Sequence, residues 1–133
     1  MRSASEVVLD ASALLALLNE EEGAESIALV AAGATISAVN CAEVVGKLLD
    51  AGVSERAARA AIDSLALEVV PFDFEAALAV GAMKVSTKAA GLSLADRACL
   101  ALAAALGATA WTTDRAWRGL RVGAEIHVVR SGA

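Results

Sequence analysis

Four acidic side chains in this sequence stand where an apolar, strand-like run meets a helix-like run. Asp10 ends the first apolar run, and Asp114 ends the run that precedes the last helix-like segment. Glu43 lies in the first turns of the helix after the second strand-like run, and Asp96 lies in the first turn of the helix that leads toward Asp114. The carboxyl ends of parallel strands share one edge of a sheet. We therefore expect the four carboxylates to converge at that edge.

A cluster of carboxylates points to one kind of chemistry. Carboxylates that lie close together raise one another's pKa unless a cation neutralises them. Oxygen ligands without His or Cys favour Mg²⁺ or Mn²⁺ over zinc, and the only histidine is His127. Such cations polarise a phosphodiester, activate water and stabilise the leaving oxygen. The predicted activity is metal-dependent hydrolysis of a phosphodiester.

Each acid also has a purely structural explanation. Glu43 and Lys47 are spaced as an i, i+4 ion pair on a helix. Asp96 completes a Ser-x-x-Asp capping box, and Asp10 and Asp114 can each cap a helix. If all four acids had only structural roles, their location at the same sheet edge would be a coincidence. We therefore favour a shared site.

The rest of the chain predicts the scaffold that positions these acids. Short apolar runs alternate with segments of helical periodicity, which is typical of an α/β fold, here a three-layer α/β/α sandwich with a mostly parallel sheet of about five strands. The chain of 133 residues is expected to form a single domain, 1–133. The predicted strands are 7–10, 34–38, 68–72, 108–113 and 126–129; the predicted helices are 12–19, a segment ending at 32, 39–50, segments beginning at 54 and 73, 93–106 and 114–120; residues 130–133 form a tail.

Composition excludes several classes of protein. With 58% hydrophobic and 20% charged residues, the chain is expected to be globular and not disordered. A net charge of −5 argues against a broad basic face for nucleic acid, but not against a nuclease whose cations offset its acids. No apolar run reaches the roughly 18 residues that span a bilayer, and Asp10 interrupts the one stretch that resembles a signal peptide. Cys41 and Cys99 lie in apolar surroundings, which indicates buried thiols in the reducing cytoplasm.

Four segments of the chain resemble a known family. VVLDASALLALL, SAVNCAEVVGKL, GLSLADRACLALA and AWTTDRAW are similar, in this order, to the four signature segments of the PIN-domain nucleases, and most of all to the VapC toxins of type II toxin–antitoxin pairs. LSLADRACLALA followed by a T-x-D strand end is the most discriminating part, and the resemblance covers nearly the whole chain. It implies a Mg²⁺- or Mn²⁺-dependent endoribonuclease with an acid quartet at Asp10, Glu43, Asp96 and Asp114.

This resemblance suggests a role for each residue of the site. Asp10, Asp96 and Asp114 are the first candidates for metal ligands, directly or through water. Glu43 is expected either to bind the metal or to act as the base for the attacking water. Thr112, the polar residue of the T-x-D motif, and Ser12 are candidate donors that orient the carboxylates; satisfied strand-end hydroxyls are the alternative. Asn40 is a weaker candidate for the same role.

RNA requires positive charge beside the acids. Arg97 and Arg115 each follow a quartet acid directly, and ordinary solvated charge is the alternative explanation for every basic residue in the region. Trp117 is expected to be a core residue more than a base-stacking platform, and Trp111 and His127 are expected to be structural. The candidate phosphate contacts are Arg97, Arg115, Arg118, Lys84 and Lys88.

The resemblance also implies partners. A cognate, VapB-like antitoxin is expected to wrap the protein over the helices within 12–32 and 39–65, and the protein is expected to form a homodimer. Three competing functions stay open: a non-catalytic RNA- or protein-binding module on the same fold, a nuclease that acts on DNA, and a receiver-like phosphoacceptor domain. The last is disfavoured because no Lys follows the fourth predicted strand.

Overall fold

The central feature of the fold is a five-stranded, all-parallel sheet with strand order β3-β2-β1-β4-β5. The computed structural model describes residues 6–129, so the predicted tail 130–133 and residues 1–5 lie outside the described part. The strands are β1 Val7–Leu9, β2 Thr35–Ser37, β3 Glu68–Val70, β4 Thr109–Thr112 and β5 Glu125–Val128. The helices are α1 Ala11–Leu18, α2 Ala24–Ala31, α3 Ala38–Asp50, α4 Glu55–Asp63, α5 Phe74–Ser86 and α6 Leu94–Leu106, with single 3₁₀ turns at Lys88–Ala90 and Arg115–Trp117.

Both faces of the sheet are covered by helices, which confirms the predicted three-layer α/β/α architecture. Successive side chains of a strand point to opposite faces. Val8 of β1 accordingly packs in a cluster with Leu100 of α6, whereas the next residue, Leu9, packs in a cluster with Ile27 of α2. A further cluster joins Leu14 of α1 to residues of α3 and α4.

The strand order places the predicted site at a particular point of the sheet. From β1 the chain moves outward to β2 and β3, and then returns to the other side of β1 for β4 and β5. The order therefore reverses between β1 and β4, and ligands of open α/β sheets bind outside the carboxyl ends of the strands at such a switch point. Each crossover from β1 to β2, from β2 to β3 and from β3 to β4 contains two helices that pack against each other.

The strands are shorter than the sequence predicted. The predicted strand 68–72 ends at Val70, because Pro71 lacks the N–H that would continue the ladder. The predicted strand 34–38 ends at Ser37, whose hydroxyl caps α3 by accepting from the N–H of Val39. The predicted helix 114–120 is only the 3₁₀ turn Arg115–Trp117, followed by Gly119 at a φ of +82°.

Both cysteines are free, and they differ in burial. Cys99 is completely buried beside Leu100, whereas Cys41 is half-buried on α3. Burial raises the pKa of both thiols, and raises that of Cys99 far more. Among residues 6–129, no helix is both long and apolar enough to cross a bilayer.

Replacement of Leu14 by Ala tests the core. Leu14 is 0% exposed and Leu29 is 87% exposed, so the same substitution at Leu29 is a matched control. We expect Leu14→Ala to lower the free energy of unfolding by about 3 kcal/mol, because it leaves a cavity, and Leu29→Ala to change it by less than about 0.5 kcal/mol. Urea unfolding measures both values, and equal losses would contradict the assigned core.

Candidate active site

The four predicted acids line one cleft. Its volume is about 190 Å³, and its lining comprises Asp10, Glu43, Asp96 and Asp114 together with Ala11, Ser12, Asn40 and Lys47. The acids reach it from separate elements: the end of β1, the second turn of α3, the first turn of α6 and the end of β4. The expected convergence at the carboxyl edge of the sheet is therefore present in the structure.

Asp10 is the most constrained acid of the cleft. Its side chain is 5% exposed, and both carboxylate oxygens accept hydrogen bonds. Oδ1 accepts from Ser12 Oγ at 2.7 Å and from the N–H of Ala13 at 2.8 Å, and Oδ2 accepts from Thr112 Oγ1 at 2.5 Å. Burial raises the pKa of Asp10, the bonds from Thr112 and Ser12 oppose that rise, and the negative charge of Asp96 adds to it.

The hydroxyls of Thr112 and Ser12 join the ends of β1 and β4. Besides donating to Asp10, Thr112 Oγ1 accepts from the N–H of Asp114 at 3.0 Å, and Ser12 Oγ accepts from the N–H of Thr113 at 3.0 Å. The two hydroxyl oxygens lie 3.2 Å apart. Each hydroxyl has a single proton and donates it to the Asp10 carboxylate. The two hydroxyl oxygens are therefore close because both donate to Asp10, and not because they form a hydrogen bond with each other.

Asp96 and Asp114 are caps as well as members of the cleft. Asp96 Oδ2 accepts from the N–H of Ser93 at 3.0 Å, which closes the predicted capping box at the start of α6. Asp114 Oδ1 accepts from the N–H of Ala116 at 2.9 Å. Each of these hydrogen bonds uses one carboxylate oxygen and leaves the other without a protein donor among residues 6–129. Helix capping, the structural role that the sequence predicts for Asp96 and Asp114, is therefore confirmed. It does not exclude that the two acids share a site.

Asn40 links α3 to α6 beneath the cleft. Its side chain is almost fully buried, and Nδ2 donates to the carbonyl oxygen of Ala95 at 3.0 Å, next to Asp96. A carbonyl oxygen can only accept, which fixes the orientation of the amide. The buried Oδ1 has no hydrogen-bond partner among the described residues. Asn40 thus holds the helix of Glu43 against the turn that carries Asp96.

The donor set of the cleft fits a hard divalent cation. It offers carboxylate oxygens and no sulfur or imidazole, as Mg²⁺ and Mn²⁺ prefer. In the described part of the chain, no three Asp, Glu, His or Cys side chains stand close enough together to hold a metal ion as they are placed. The Asp96 and Asp114 carboxylates are each held by one capping hydrogen bond, from the N–H of Ser93 and the N–H of Ala116.

The sequence profile of the PIN domain family matches residues 7–122, which include all four acids. The chain belongs to the PIN domain family. A search of curated protein sequences gave no significant match.

Solved structures with this PIN fold include several toxin–antitoxin complexes. One from Klebsiella pneumoniae aligns over 94% of this chain and 98% of its own, with 20% identity and a TM-score of 0.74. VapBC2 from Rickettsia felis, bound to a promoter DNA fragment, covers 91% and 96% with 17% identity and a TM-score of 0.71. VapBC-5 from Mycobacterium tuberculosis covers 92% and 96% with 24% identity and a TM-score of 0.61. At these identities the likeness is one of fold.

The five residues predicted to contact RNA differ in their exposure to solvent. Arg97 does not fit the prediction, because its guanidinium is buried and Nη1 donates to the carbonyl oxygen of Val80 at 2.8 Å, which ties α6 to α5. Lys84, Lys88, Arg115 and Arg118 are exposed, but none of them lines the acid cleft.

The basic residue that does line the cleft is Lys47. From its sequence position, Lys47 is predicted only as an ion-pair partner of Glu43, and this ion pair does not form. The helical spacing of Asn40, Glu43 and Lys47 was the signal that could have placed Lys47 at the site, since residues three and seven positions apart share one face.

The two tryptophans lie in or beside the sheet and away from the acid cleft. Trp117 is buried in the cluster that contains Leu100, as predicted. Trp111 is half-buried, and its ring lies 4.3 Å from the ring of the exposed His127 on the neighbouring strand β5.

Replacement of Thr112 by Val tests the hydroxyl that joins the two strand ends. The change is nearly isosteric, and it leaves Asp10 Oδ2 and the N–H of Asp114 without their partner. We expect the free energy of unfolding to fall by about 2 kcal/mol. Thr113→Val is the control, because the Thr113 side chain lies outside this network, and it should cost less than about 0.5 kcal/mol. Urea unfolding of both variants would contradict the assignment if the two losses were equal.

Proposed function

We propose that this PIN domain is a VapC-like toxin, a Mg²⁺- or Mn²⁺-dependent endoribonuclease that a cognate antitoxin neutralises. The observation that carries the proposal is the convergence of Asp10, Glu43, Asp96 and Asp114 on one cleft at the switch point between β1 and β4. Membership of the PIN domain family and the fold shared with toxin–antitoxin complexes support it.

The proposed mechanism divides the work among the acids. Asp10, Asp96 and Asp114 hold the cation, which supplies positive charge to offset the negative charge that develops on the phosphate. Thr112 and Ser12 fix the position of the Asp10 carboxylate. Glu43 is exposed and is not held by a capping bond, so it is the acid best placed to take a proton from the attacking water.

RNA is the proposed substrate, and the backbone phosphates are the groups that basic residues contact. The exposed Lys84, Lys88, Arg115 and Arg118 are the outer candidates for these contacts. Contacts to backbone phosphates are possible with DNA as well as with RNA, so a DNA nuclease is the alternative that the substrate test must separate.

The proposed antitoxin contact lies on the helices predicted from sequence. Leu29 of α2, Leu49 of α3 and Val69 of β3 are large apolar side chains that remain exposed in or beside this region. Large apolar side chains that are exposed can contribute to surfaces that bind protein partners. A cytoplasmic location remains a prediction, with which two free thiols are consistent.

Cleavage of nucleic acid tests the proposed activity. Purified protein is incubated with a mixed RNA pool and with the corresponding DNA pool, with Mg²⁺ or Mn²⁺ and with EDTA. We expect metal-dependent cleavage of RNA that Asp96→Asn reduces at least about a hundredfold, since a charged ligand is lost. Asn at this position can still accept the capping bond from Ser93.

Asp73→Asn is the matched control for this experiment. Asp73 caps α5 by accepting from the N–H of Ala76 at 2.9 Å, but it lies outside the acid cleft. We expect it to retain wild-type activity. Equal activity of wild type and Asp96→Asn would contradict the proposal, cleavage of DNA alone would favour the alternative substrate, and folded protein that neither cleaves nor binds Mn²⁺ would favour a non-catalytic module.

We further propose that the protein forms a homodimer through α5. Phe74, Leu78, Gly81 and Val85 share one face of this helix, and Phe74 and Val85 are 72% and 85% exposed. Helix α5 is apolar on its outer face as well as on the face that packs against α6. We expect the outer face to be covered by another protein surface. A Cβ on Gly81 would meet nothing within 4 Å inside the protomer, so this point of the face is open to the same helix of a second copy about a two-fold axis.

Leu78→Glu tests this interface. It places a charge at the centre of the apolar face, and we expect sedimentation velocity to show the wild type as a dimer and Leu78→Glu as a monomer with unchanged circular dichroism. Leu29→Glu is the control, because Leu29 lies on α2 and should leave the dimer intact. A wild type that is monomeric at all concentrations, or a Leu78→Glu variant that stays dimeric, would contradict the interface.

A further inference from the structure

Lys47 is a basic residue in the lining of the acid cleft, and no neighbouring carboxylate among the described residues forms an ion pair with it. Asn40, Glu43 and Lys47 are spaced i, i+3 and i+7 along α3, and all three line the cleft. Side chains on a helix lean toward its N-terminus. The lysine stem therefore runs back over the turn that carries Glu43, toward the carboxyl edge of the sheet where the acids meet.

Lys47 has no ionic partner within the part of the chain that the structure describes. The i, i+4 spacing with Glu43 is the arrangement that normally forms an ion pair on a helix. In residues 6–129, however, Lys47 forms no ion pair with Glu43 or with any other carboxylate. Its ammonium group, with three N–H donors, is exposed and available to a ligand.

The charge of the cleft explains why a ligand would need this group. Four carboxylates face the cleft, and among the described residues Lys47 is the one basic side chain in its lining. Even after a divalent cation binds, a phosphodiester entering the cleft meets a net negative charge. A lysine ammonium is a compact point charge that binds phosphate oxygens well.

We propose that Lys47 is the phosphate-binding residue of the cleft, whose ammonium donates to a non-bridging oxygen of the backbone phosphate beside the four acids. This assignment rests on the proposed nuclease function. It predicts that Lys47 contributes to binding of the substrate and opposes binding of the cation, whereas a residue with only a structural role would do neither.

Steady-state cleavage of an RNA substrate at several salt concentrations tests the role. The variants are Lys47→Met, Lys47→Arg and, as a control of equal charge change, Arg56→Met, because Arg56 is exposed on α4 outside the cleft. We expect Lys47→Met to raise KM about tenfold and to lower the salt slope by about 1, with a smaller effect on kcat. Lys47→Arg should recover most of the loss, since the charge and a donor are kept.

Mn²⁺ affinity, measured by electron paramagnetic resonance without RNA, provides a second readout. Removal of a nearby positive charge should raise the affinity of Lys47→Met by about two- to fivefold, while Arg56→Met stays at the wild-type value. Lys47→Met that matches Arg56→Met in KM and salt slope, or that loses Mn²⁺ affinity, would overturn the role of Lys47 and leave the nuclease intact. A wild type that cleaves no RNA and binds no Mn²⁺ would overturn the proposed function and this role together.

Discussion

The buried carboxylate of Asp10 is the interaction on which the rest of the site depends. A charge that is 5% exposed is costly in a low-dielectric environment, and three donors from Ser12, Ala13 and Thr112 offset that cost. Because Thr112 Oγ1 donates to Asp10 and also accepts from the backbone N–H of Asp114, one hydroxyl fixes the end of β1 relative to the end of β4. The site therefore lies where the sheet reverses its strand order and where two side-chain hydroxyls join the ends of β1 and β4.

Helix capping and the proposed metal site use the same side chains in compatible ways. The capping bonds of Asp96 and Asp114 hold one oxygen of each carboxylate and restrict its rotamers. Less conformational entropy is then lost when the remaining oxygens bind a ligand. Glu43 is longer, exposed and not a cap, which suits a group that must move with a proton. Asn40 keeps the helix of Glu43 against the first turn of α6, so that Glu43 remains beside the other acids.

The sequence predicted most of this arrangement because strand ends and helix starts are local signals. An apolar run ending in Asp10, a capping box at Asp96 and a T-x-D strand end at Asp114 each identify an edge position, and parallel topology then brings them together. Contacts between distant segments left no such signal. The burial of Arg97 against Val80 depends on how α5 packs on α6, and the turn of Lys47 into the cleft depends on the position of α3 relative to α6. The second strand ends earlier than predicted because its last residue, Ser37, caps α3, which begins at Ala38.

The location of a bound cation tests the central claim most directly. Crystals grown with Mn²⁺ and measured at the manganese absorption edge reveal the ion by its anomalous scattering. The account predicts an anomalous peak in the cleft between Asp10, Asp96 and Asp114, with the capping bonds of the latter two retained or exchanged for bonds to the ion. Diffraction from Mn²⁺-saturated crystals with no peak in this cleft, or with a peak only elsewhere on the protein, would contradict a metal site and leave the four carboxylates as caps and surface charge.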